Sequence, residues 1–360
     1  MTPSVVGSAA SVTPAWLTEV LQEAGAIGED SSVLAVEGSP IGTGQIGDNV
    51  RFALRYEGVP GPSTVVGKFG SSNPASAAAG VSMRLYETEV AFYRELAPTL
   101  DVARPRCYFA AVTPGTAQAV LLMEDLAPAV QGDQIAGCSV DEAELAMDEA
   151  ARLHGPRWGD PGLASVEWLG RNGSGGGGLE SALSMVWDGF VERYRASVLE
   201  VTLEAGRQLA ELAPLLSSST NRVTTPTHCD FRLDNMLFSG PPGRGLTVVD
   251  WQTVQLGAGA RDVAYFLGNA FEPEVRRSCE RALLARYHRR LLDDYGVDDY
   301  PFDQCWNEYV RFSYSSLAMA VFASMVVGRT DRGDAMFMAM ANRSAQMAAD
   351  LDAAAVIRSG

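Results

Sequence analysis

Three polar residues in one stretch of the chain have the types and spacing needed for joint chemistry. Residues 228–235 read HCDFRLDN, and residues 247–251 read TVVDW. Asn235 follows Asp230 by five residues, and Asp250 follows Asn235 by fifteen. Phosphoryl transfer needs such a set, because one carboxylate must accept the proton of an attacking hydroxyl. An amide oxygen and a second carboxylate must hold Mg²⁺ against the nucleotide phosphates.

The spacing from Asp230 to Asn235 equals that of the protein-kinase catalytic loop, H-R-D-L-x-x-x-N. Between Asn235 and Asp250 the chain reads MLF, then the turn-forming run SGPPGRG, then LTVV. This pattern predicts a β-hairpin that would bring Asp250 back beside Asn235. The alternative is a surface loop with scattered carboxylates, since Asp and Asn are ordinary turn residues.

The sequence contains a single lysine, Lys68, among 28 Lys and Arg residues. It ends the short strand-like run of residues 64–67, much as the phosphate-binding lysine of kinases ends a strand in V-A-I-K. A compact ammonium fits between phosphates where a planar guanidinium does not. We therefore predict that Lys68 contacts nucleotide phosphates; the alternative is a solvated lysine at a strand end.

A glycine-rich segment precedes that strand. Gly42, Gly44 and Gly47 form a G-x-G-x-x-G pattern, which alone could equally belong to a dinucleotide-binding loop. Residues 49–56 alternate with a period of two, so a strand and not a helix follows the glycines. Strand, glycine loop and strand is the arrangement in which a kinase covers the phosphates; a plain hairpin turn is the alternative.

A helix is predicted from about Ala79 to Ala97. Glu89 on this helix is the candidate partner that aims Lys68, as a helix glutamate does in kinases. Glu87 and Glu95 compete for that role. The common alternative for any helix carboxylate is that it faces solvent.

A hinge is predicted where Glu124 and Leu126 leave a strand of residues 119–123, because their backbone groups would be available to adenine. The hinge divides the chain into an N-terminal lobe of residues 1–126 and a C-terminal lobe of residues 127–360. From about Val140 onward the pattern predicts mainly helices.

The bulk composition argues against several function classes. A net charge of −16 disfavours nucleic acid, whose phosphates select basic surfaces. Five scattered cysteines without metal-site spacing indicate reduced thiols and a cytoplasmic location. No Lys or Arg precedes Arg51, so no secretory leader is expected. The longest apolar stretch, residues 317–327, is too short to span a bilayer, so no membrane partner is expected.

Three further features have a less specific meaning. The glycine run of residues 173–178 predicts a surface loop, or part of a lid. The arginine-rich residues 276–290 form either a basic patch or a self-paired face, because two arginines lie four residues before Asp293 and Asp294. Asp262 is expected to act as the N-cap of the next helix.

With these residues assembled, the chain resembles the aminoglycoside phosphotransferase and choline-kinase type of small-molecule kinase, nearest its ecdysteroid-kinase-like branch. The resemblance covers most of residues 35–290. Its motifs are HCDFRLDN at 228–235, VVDW at 248–251, GARDVAY at 259–265, LLMEDL at 121–126 and ARLH at 151–154.

The resemblance implies an α+β, bilobal protein-kinase-like fold with a small antiparallel-sheet N-lobe and a larger, mainly helical C-lobe. It also implies phosphorylation of a small-molecule hydroxyl with ATP or GTP. Asp230 matches the family's catalytic base, Asn235 and Asp250 match its metal ligands, and Lys68 matches its phosphate lysine. Cys229 stands where glycine is usual.

The acceptor, the choice of ATP or GTP and the oligomeric state are left open by the sequence. A hydroxyacyl-CoA kinase is the alternative enzyme, and it would need a basic pocket, for which residues 276–290 are the candidate. A nucleotide-binding pseudokinase acting as an interaction module is the alternative of another class. A cationic antibiotic would need an acidic cleft, with candidates Asp293, Asp294, Asp298, Asp299, Asp331 and Asp334.

Overall fold

The computed structural model describes residues 3–42, 46–170, 178–217, 223–240 and 245–359. The chain forms two compact units. The first contains Met1–Pro98, Arg104–Pro128 and Asp250–Gln252, and the second contains Thr99–Ala103, Ala129–Val249 and Thr253–Gly360. The predicted glycine-rich loop at 173–178 falls outside the described residues except for Gly178, which begins a helix.

The first unit is built on a five-stranded antiparallel sheet in which the strands lie in the order β1-β2-β3-β5-β4. The strands are β1 Ser32–Pro40, β2 Gly47–Glu57, β3 Thr64–Gly70, β4 Cys107–Val112 and β5 Ala119–Glu124. Lys68 lies on the middle strand, opposite Asn49 on β2 and Leu121 on β5. The strands predicted on either side of the glycine-rich segment are present as β1 and β2.

Alternation along β3 explains why this strand forms. Val65 and Phe69 are buried in the core, and Phe69 packs edge-on against Phe52 of β2. Helix α1, Pro14–Glu23, covers the same core with Trp16. It begins where the side chain of Thr13 accepts the backbone N–H of Trp16, as an N-cap should.

The prediction of one helix over residues 79–97 is wrong. The structure has α2, Pro74–Ser82, and α3, Leu85–Ala91, followed by a π-helical turn at Phe92–Leu96. The first helix starts earlier because Asn73 caps it ahead of a proline at the first helical position. It ends because Arg84 adopts a left-handed backbone with φ of 57°.

The second unit is mainly helical. Its helices are α4 Val140–His154, α5 Glu167–Gly170, α6 Gly178–Tyr194, α7 Glu200–Ser217, α8 Ala260–Ala270, α9 Pro273–Tyr295, α10 Phe302–Arg311, α11 Ser315–Val326, α12 Asp331–Asp350 and α13 Ala353–Arg358. Throughout the described ranges, every helix is too short or too polar to cross a membrane.

Short strands complete the second unit. They are β6 Val130–Gln131, β7 Thr225–Thr227, β8 Met236–Phe238, β9 Leu246–Val248 and β10 Gln255–Gly257. The predicted hairpin is present, since β8 and β9 pair antiparallel with Met236 opposite Val248. Residues 241–244 of its turn lie outside the described residues.

Candidate active site

Asp230 lies between β7 and β8, and three side-chain donors hold its carboxylate. The hydroxyl of Tyr265 and Nε of Arg232 each donate to Oδ1 at 2.9 Å. Nδ2 of Asn235 donates to Oδ2 at 2.8 Å. The side chain is 17% exposed. An ionised carboxylate offers about four lone-pair directions, so the three donors leave room for one more hydrogen bond.

Asn235 is oriented by Asp230. Its Nδ2 donates to the Asp230 carboxylate and also to the Asp230 backbone carbonyl, both at 2.8 Å. Both partners only accept, so the amide nitrogen must be the atom that faces them. The Oδ1 oxygen is therefore the atom with which Asn235 can bind a hard cation.

A buried carboxylate supports the loop that carries Asp230. Asp262 accepts the backbone N–H of His228 at 2.6 Å and that of Cys229 at 2.9 Å, and it contacts Nε2 of His154 at 3.2 Å. Burial alone would raise the pKa of Asp262, but the bonds from His154 and the loop backbone hold it below its ordinary value. An ionised Asp262 therefore fixes the loop.

The expectation that Asp262 caps its own helix is wrong. Helix α8 begins at Ala260, and Gly259 occupies the N-cap position. The side chain of Asp262 bonds another segment of the chain because the backbone of residues 228 and 229 presents two N–H groups to it. This role of Asp262 was not predicted from the sequence, although the residue stands within the GARDVAY motif.

Cys229 has a left-handed backbone, with φ of 64°. Glycine adopts this conformation without steric cost, which explains why glycine is usual at this position. Burial raises the pKa of the Cys229 thiol, so it stays neutral between Thr227 and Gln255. A small side chain is thus accommodated here.

The hairpin leads the chain back to the loop. The N–H of Val249 donates to the carbonyl of Asn235 at 2.9 Å, and Nε2 of His228 lies 3.0 Å from the carbonyl of Val249. The next residue is Asp250, which has a left-handed φ of 68° and belongs to the first unit.

In the first unit, Lys68 joins two carboxylates. Its Nζ lies 2.7 Å from Glu89 and 2.7 Å from Oδ1 of Asp250. The lysine side chain is 13% exposed, that of Glu89 5% and that of Asp250 29%. Burial alone would lower the pKa of Lys68, but the two carboxylates outweigh burial and raise it above its ordinary value. Lys68 is therefore a buried, charged ammonium.

Glu89 is the helix carboxylate that contacts the lysine. Glu87 instead pairs with Arg84 and accepts the backbone N–H of Gly115, while Glu95 is exposed. Glu89 also accepts the backbone N–H of Trp251 at 3.2 Å. One glutamate thus holds both Lys68 and the residue that follows Asp250.

The ring of Trp251 reinforces that contact. It stacks on Phe92 with ring centroids 4.2 Å apart and planes 9° apart. Phe92 begins the π-helical turn directly after α3. The residues on either side of Asp250 are therefore held, one by the hairpin and the other by this stack.

The glycine-rich segment is described only in part. Gly42 has a φ of 70°, and Gly44 lies outside the described residues. At Gly47 an added Cβ would lie 2.9 Å from the carbonyl oxygen of Phe69 and 3.5 Å from Cε of Lys68. The close approach of β2 to the end of β3 therefore requires glycine at position 47.

The predicted hinge residues differ in the hydrogen bonds that their backbone and side-chain groups form. The backbone N–H of Glu124 donates to Arg106, and its side chain accepts the N–H of the same residue. Asp125 forms a two-bond pair with Arg51, at 2.7 and 3.0 Å. Among the described residues, the backbone N–H and carbonyl of Leu126 form no hydrogen bond.

The arginine-rich helix is largely paired. Arg286 contacts Asp148 at 2.8 Å and Glu144 at 2.9 Å, and Arg290 contacts Asp294 at 2.9 Å. The fully buried Arg276 bonds Glu280 and Asp350. These contacts favour the self-paired face over a free basic patch.

Comparisons with known proteins show the family and the fold of the chain. Residues 74–301 match the model of APH, the phosphotransferase enzyme family. A 141-residue stretch is 30% identical to mouse acyl-CoA dehydrogenase family member 10, covering 36% of this chain and 13% of that protein. The chain thus spans about an eighth of that relative.

Two solved structures show the same fold. One is a Ralstonia eutropha protein assigned as an aminoglycoside phosphotransferase, 17% identical, with a TM-score of 0.52, covering 88% of this chain and 93% of that one. The other is a Plasmodium vivax ethanolamine kinase, 10% identical, with a TM-score of 0.51, covering 90% and 86%. They confirm the α+β kinase-like fold. With more than half of its length matched by the family model, the chain belongs to the APH phosphotransferase enzyme family.

Proposed function

We propose that this phosphotransferase uses Mg²⁺ and ATP, or GTP, to phosphorylate the hydroxyl of a small molecule in the cytoplasm. The observation that carries the proposal is the buried Lys68 between Glu89 and Asp250. A chain that otherwise uses arginine keeps its single lysine in this one contact. In kinases a lysine at the end of a strand such as β3 contacts the nucleotide phosphates. The cysteines, all free, suit a reducing compartment.

Asp230 is the proposed base. The acceptor hydroxyl would donate to its carboxylate, which is already held by three donors and has one lone-pair direction left. Fixing the carboxylate beforehand lowers the entropic cost of reaching a reactive geometry. Proton transfer to a positioned base contributes typically 10²–10⁴-fold to a rate.

Lys68 is the proposed phosphate contact, and Glu89 aims it. Two carboxylates surround this one ammonium. A cation bound at Asp250 would add positive charge there, which favours nucleotide phosphates beside Lys68. Leu126, with its free backbone groups, is the proposed contact for the nucleobase.

Asn235 and Asp250 fit a magnesium ion by their chemistry. Both offer side-chain oxygens, the ligands that this hard cation prefers, and Asp250 is partly exposed. Across the described ranges, no three His, Cys, Asp or Glu residues form a metal centre of their own. Bound Mg²⁺ would neutralise charge on the phosphates during transfer.

The decisive experiment is a transfer assay with MgATP or MgGTP and a panel of simple alcohols, aminoglycosides and hydroxyacyl-CoA compounds. We expect at least one acceptor to be phosphorylated. Asp230→Asn should fold normally and bind the nucleotide, because only one oxygen is changed. Its kcat should fall by roughly 10² or more, the usual size of a general-base contribution.

The controls are the melting temperature of the variant and its affinity for MgATP. Near wild-type turnover by Asp230→Asn would remove the central claim. No transfer to any acceptor, together with no nucleotide hydrolysis, would favour the pseudokinase alternative.

A hydroxyacyl-CoA acceptor is the second candidate. One observation favours it, because the similar mouse protein is named acyl-CoA dehydrogenase family member 10. The pairing of α9 arginines with Asp148, Glu144 and Asp294 weakens the one basic pocket that the sequence suggested. A cationic antibiotic is less favoured, since Asp294 and Asp334 of the proposed acidic cleft already pair with arginines. The acceptor panel separates the three.

A further inference from the structure

We infer that Tyr265 and Arg232 are positioning residues that hold Oδ1 of Asp230, so that Oδ2 takes the acceptor's proton. Arg232 also bonds Asp234, and Asp234 in turn bonds Arg332 on helix α12. This inference rests on the proposed function, in which Asp230 is the base.

Tyr265 is placed by the helix that also supports the loop. It lies three residues after Asp262 on α8, so both side chains project from neighbouring positions of one helix face. Its hydroxyl donates to Oδ1 of Asp230 at 2.9 Å, and the residue is buried. Burial raises the pKa of the Tyr265 phenol well above its ordinary value, so the hydroxyl keeps the proton that it donates.

Arg232 binds the same oxygen from the loop itself. Its Nε donates to Oδ1 of Asp230 at 2.9 Å, while NH1 of the same guanidinium donates to Oδ2 of Asp234 at 3.0 Å. A guanidinium is planar and rigid, so fixing one edge on Asp234 also fixes the other edge on Asp230.

Asp234 is in turn held from α12. Arg332 donates through NH1 and NH2 to both of its oxygens, at 3.1 and 3.0 Å, and the backbone N–H of Gln134 adds a third bond at 3.0 Å. Carboxylate and guanidinium groups therefore alternate along the hydrogen bonds from Asp230 to Arg332.

The donor count assigns the reactive oxygen. Among the residues that the structure describes, Oδ1 accepts from two side chains, whereas Oδ2 accepts from Asn235 alone. In the step, the acceptor O–H bond breaks and its proton goes to Oδ2. The hydroxyl oxygen forms the new bond to the γ-phosphorus. The bond from that phosphorus to the bridging oxygen breaks, and the nucleoside diphosphate leaves with the electron pair.

The first test is Tyr265→Phe, which removes one oxygen and leaves the ring in place. The acceptor is the panel compound that the wild type turns over fastest, or water if none is turned over. We expect kcat to fall about tenfold or more, because a loosened carboxylate spends less time in the reactive geometry. The KM for MgATP should change less than about twofold.

The matched control is Tyr314→Phe. Tyr314 is also buried in the second unit, and its hydroxyl donates to Gln208 at 2.8 Å. We expect its kcat to equal that of the wild type. The inference is overturned if Tyr265→Phe and Tyr314→Phe have the same kcat, or if Tyr265→Phe changes only the KM for MgATP.

The second test changes Arg332, which is linked to Asp230 through Asp234 and Arg232 and is partly exposed, so the fold should tolerate the change. Arg332 is 46% exposed, and Arg329, 59% exposed, pairs with Asp334 a short distance along the chain. Arg332→Gln should lower kcat roughly threefold or more, whereas Arg329→Gln should not.

Combining Arg332→Gln with Asp234→Asn should lower kcat less than the product of the single effects, since both act through one contact. The role of Arg332 on α12 is contradicted if Arg332→Gln and Arg329→Gln have equal kcat. It is also contradicted if the effects of Arg332→Gln and Asp234→Asn on kcat simply multiply.

Different results would contradict the positioning roles of Tyr265 and Arg332 and the proposed role of Asp230. If Asp230→Asn is inactive while Tyr265→Phe and Arg332→Gln retain wild-type kcat, the positioning claim falls and the base stands. If Asp230→Asn is active, both fall.

Discussion

At the residue scale, other side chains hold each of the candidate groups: three donors hold Asp230, and Glu89 and Asp250 contact Lys68. The spacing of Asp230 and Asn235 and the isolation of Lys68 are visible in the sequence alone. The roles of Asp262 and Tyr265 depend on which loop α8 packs against. Their spacing of three residues within GARDVAY places both on one helix face, but it does not identify the loop that this face meets.

Lys68→Arg is the most discriminating change at the residue scale. A wider guanidinium should not fit between Glu89 and Asp250 while leaving room for phosphates. We expect a loss of at least about tenfold in kcat/KM, or about 1.4 kcal/mol of transition-state stabilisation. Steady-state kinetics with varied MgATP measures it.

The reverse exchange at an exposed site is the control. Arg55→Lys on β2 should leave kcat/KM unchanged, since Arg55 is exposed. Glu89→Gln should cause a related loss that is not additive with Lys68→Arg, because both act through one contact. A silent Lys68→Arg would make the lysine a structural residue.

At the scale of elements, one helix organises the loop that carries Asp230, the proposed base. Helix α8 contributes Asp262 to the loop backbone and Tyr265 to the carboxylate. Its start is set by Gly259, where an added Cβ would lie 2.4 Å from the hydroxyl of Tyr287 and 2.8 Å from Nδ1 of His154.

Gly259→Ala should therefore destabilise the protein. Overpacking of a filled interior costs typically about 1–3 kcal/mol, and here polar atoms must also move. Urea unfolding measures the change. Gly28→Ala is the control, since an added Cβ there meets nothing within 4 Å. Equal stability of the two variants would show that α8 shifts freely.

Asp262→Asn tests the buried anion under the loop. Hydrogen bonds to a charged group contribute about 1.5–3 kcal/mol each, so the variant should be less stable at neutral pH. Because the folded pKa of Asp262 is lowered, its stabilisation is present above the unfolded pKa of about 3.9 and is lost as pH falls through the lower folded value.

The difference in unfolding free energy between wild type and Asp262→Asn should thus be constant from about pH 7 to pH 5 and shrink below about pH 4. Denaturant unfolding across this range measures it. A difference that grew on acidification would mean that Asp262 is protonated in the folded protein.

The single helix predicted over residues 79–97 is two helices in the structure, α2 and α3. The difference shows the limit of hydrophobic periodicity as a predictor at this scale. The apolar spacing of these residues continued through the break, so the pattern read as one helix. The interruption depends on the left-handed Arg84 and on the close packing of Gly80 against the ring of Tyr86, where an added Cβ would lie 2.6 Å away. Both lie within the predicted helix, but hydrophobic periodicity indicates neither the left-handed backbone nor the contact with the ring.

At the scale of the whole molecule, the chain passes between its two units five times, so no single cut separates them. The crossings follow Pro98, Ala103, Pro128, Val249 and Gln252. A cut after Pro128 would remove Asp250 and Trp251 from the unit that holds their partners Lys68 and Glu89. The arrangement was not predictable from a single hinge, because Asp250–Gln252 is short and distant in sequence.

Nucleotide binding should stabilise the molecule as a whole. At 100 times the dissociation constant, a ligand adds about 2.7 kcal/mol to the unfolding free energy. MgATP should therefore raise the melting temperature of the wild type. Asp250→Asn should reduce that shift, because Asn tolerates the left-handed backbone but lacks the charge that holds the cation. A shift equal to wild type would contradict the metal assignment.

The solitary lysine has a practical consequence for measuring how the protein opens. A protease that cuts only after lysine has one bond to attack, between Lys68 and Phe69, and that bond lies in the middle strand of the sheet. A paired strand cannot enter a protease cleft, so cleavage must await local opening of the first unit. The digest would yield two fragments, residues 1–68 and 69–360. When opening is fast relative to cutting, their rate of appearance reports the free energy of that opening.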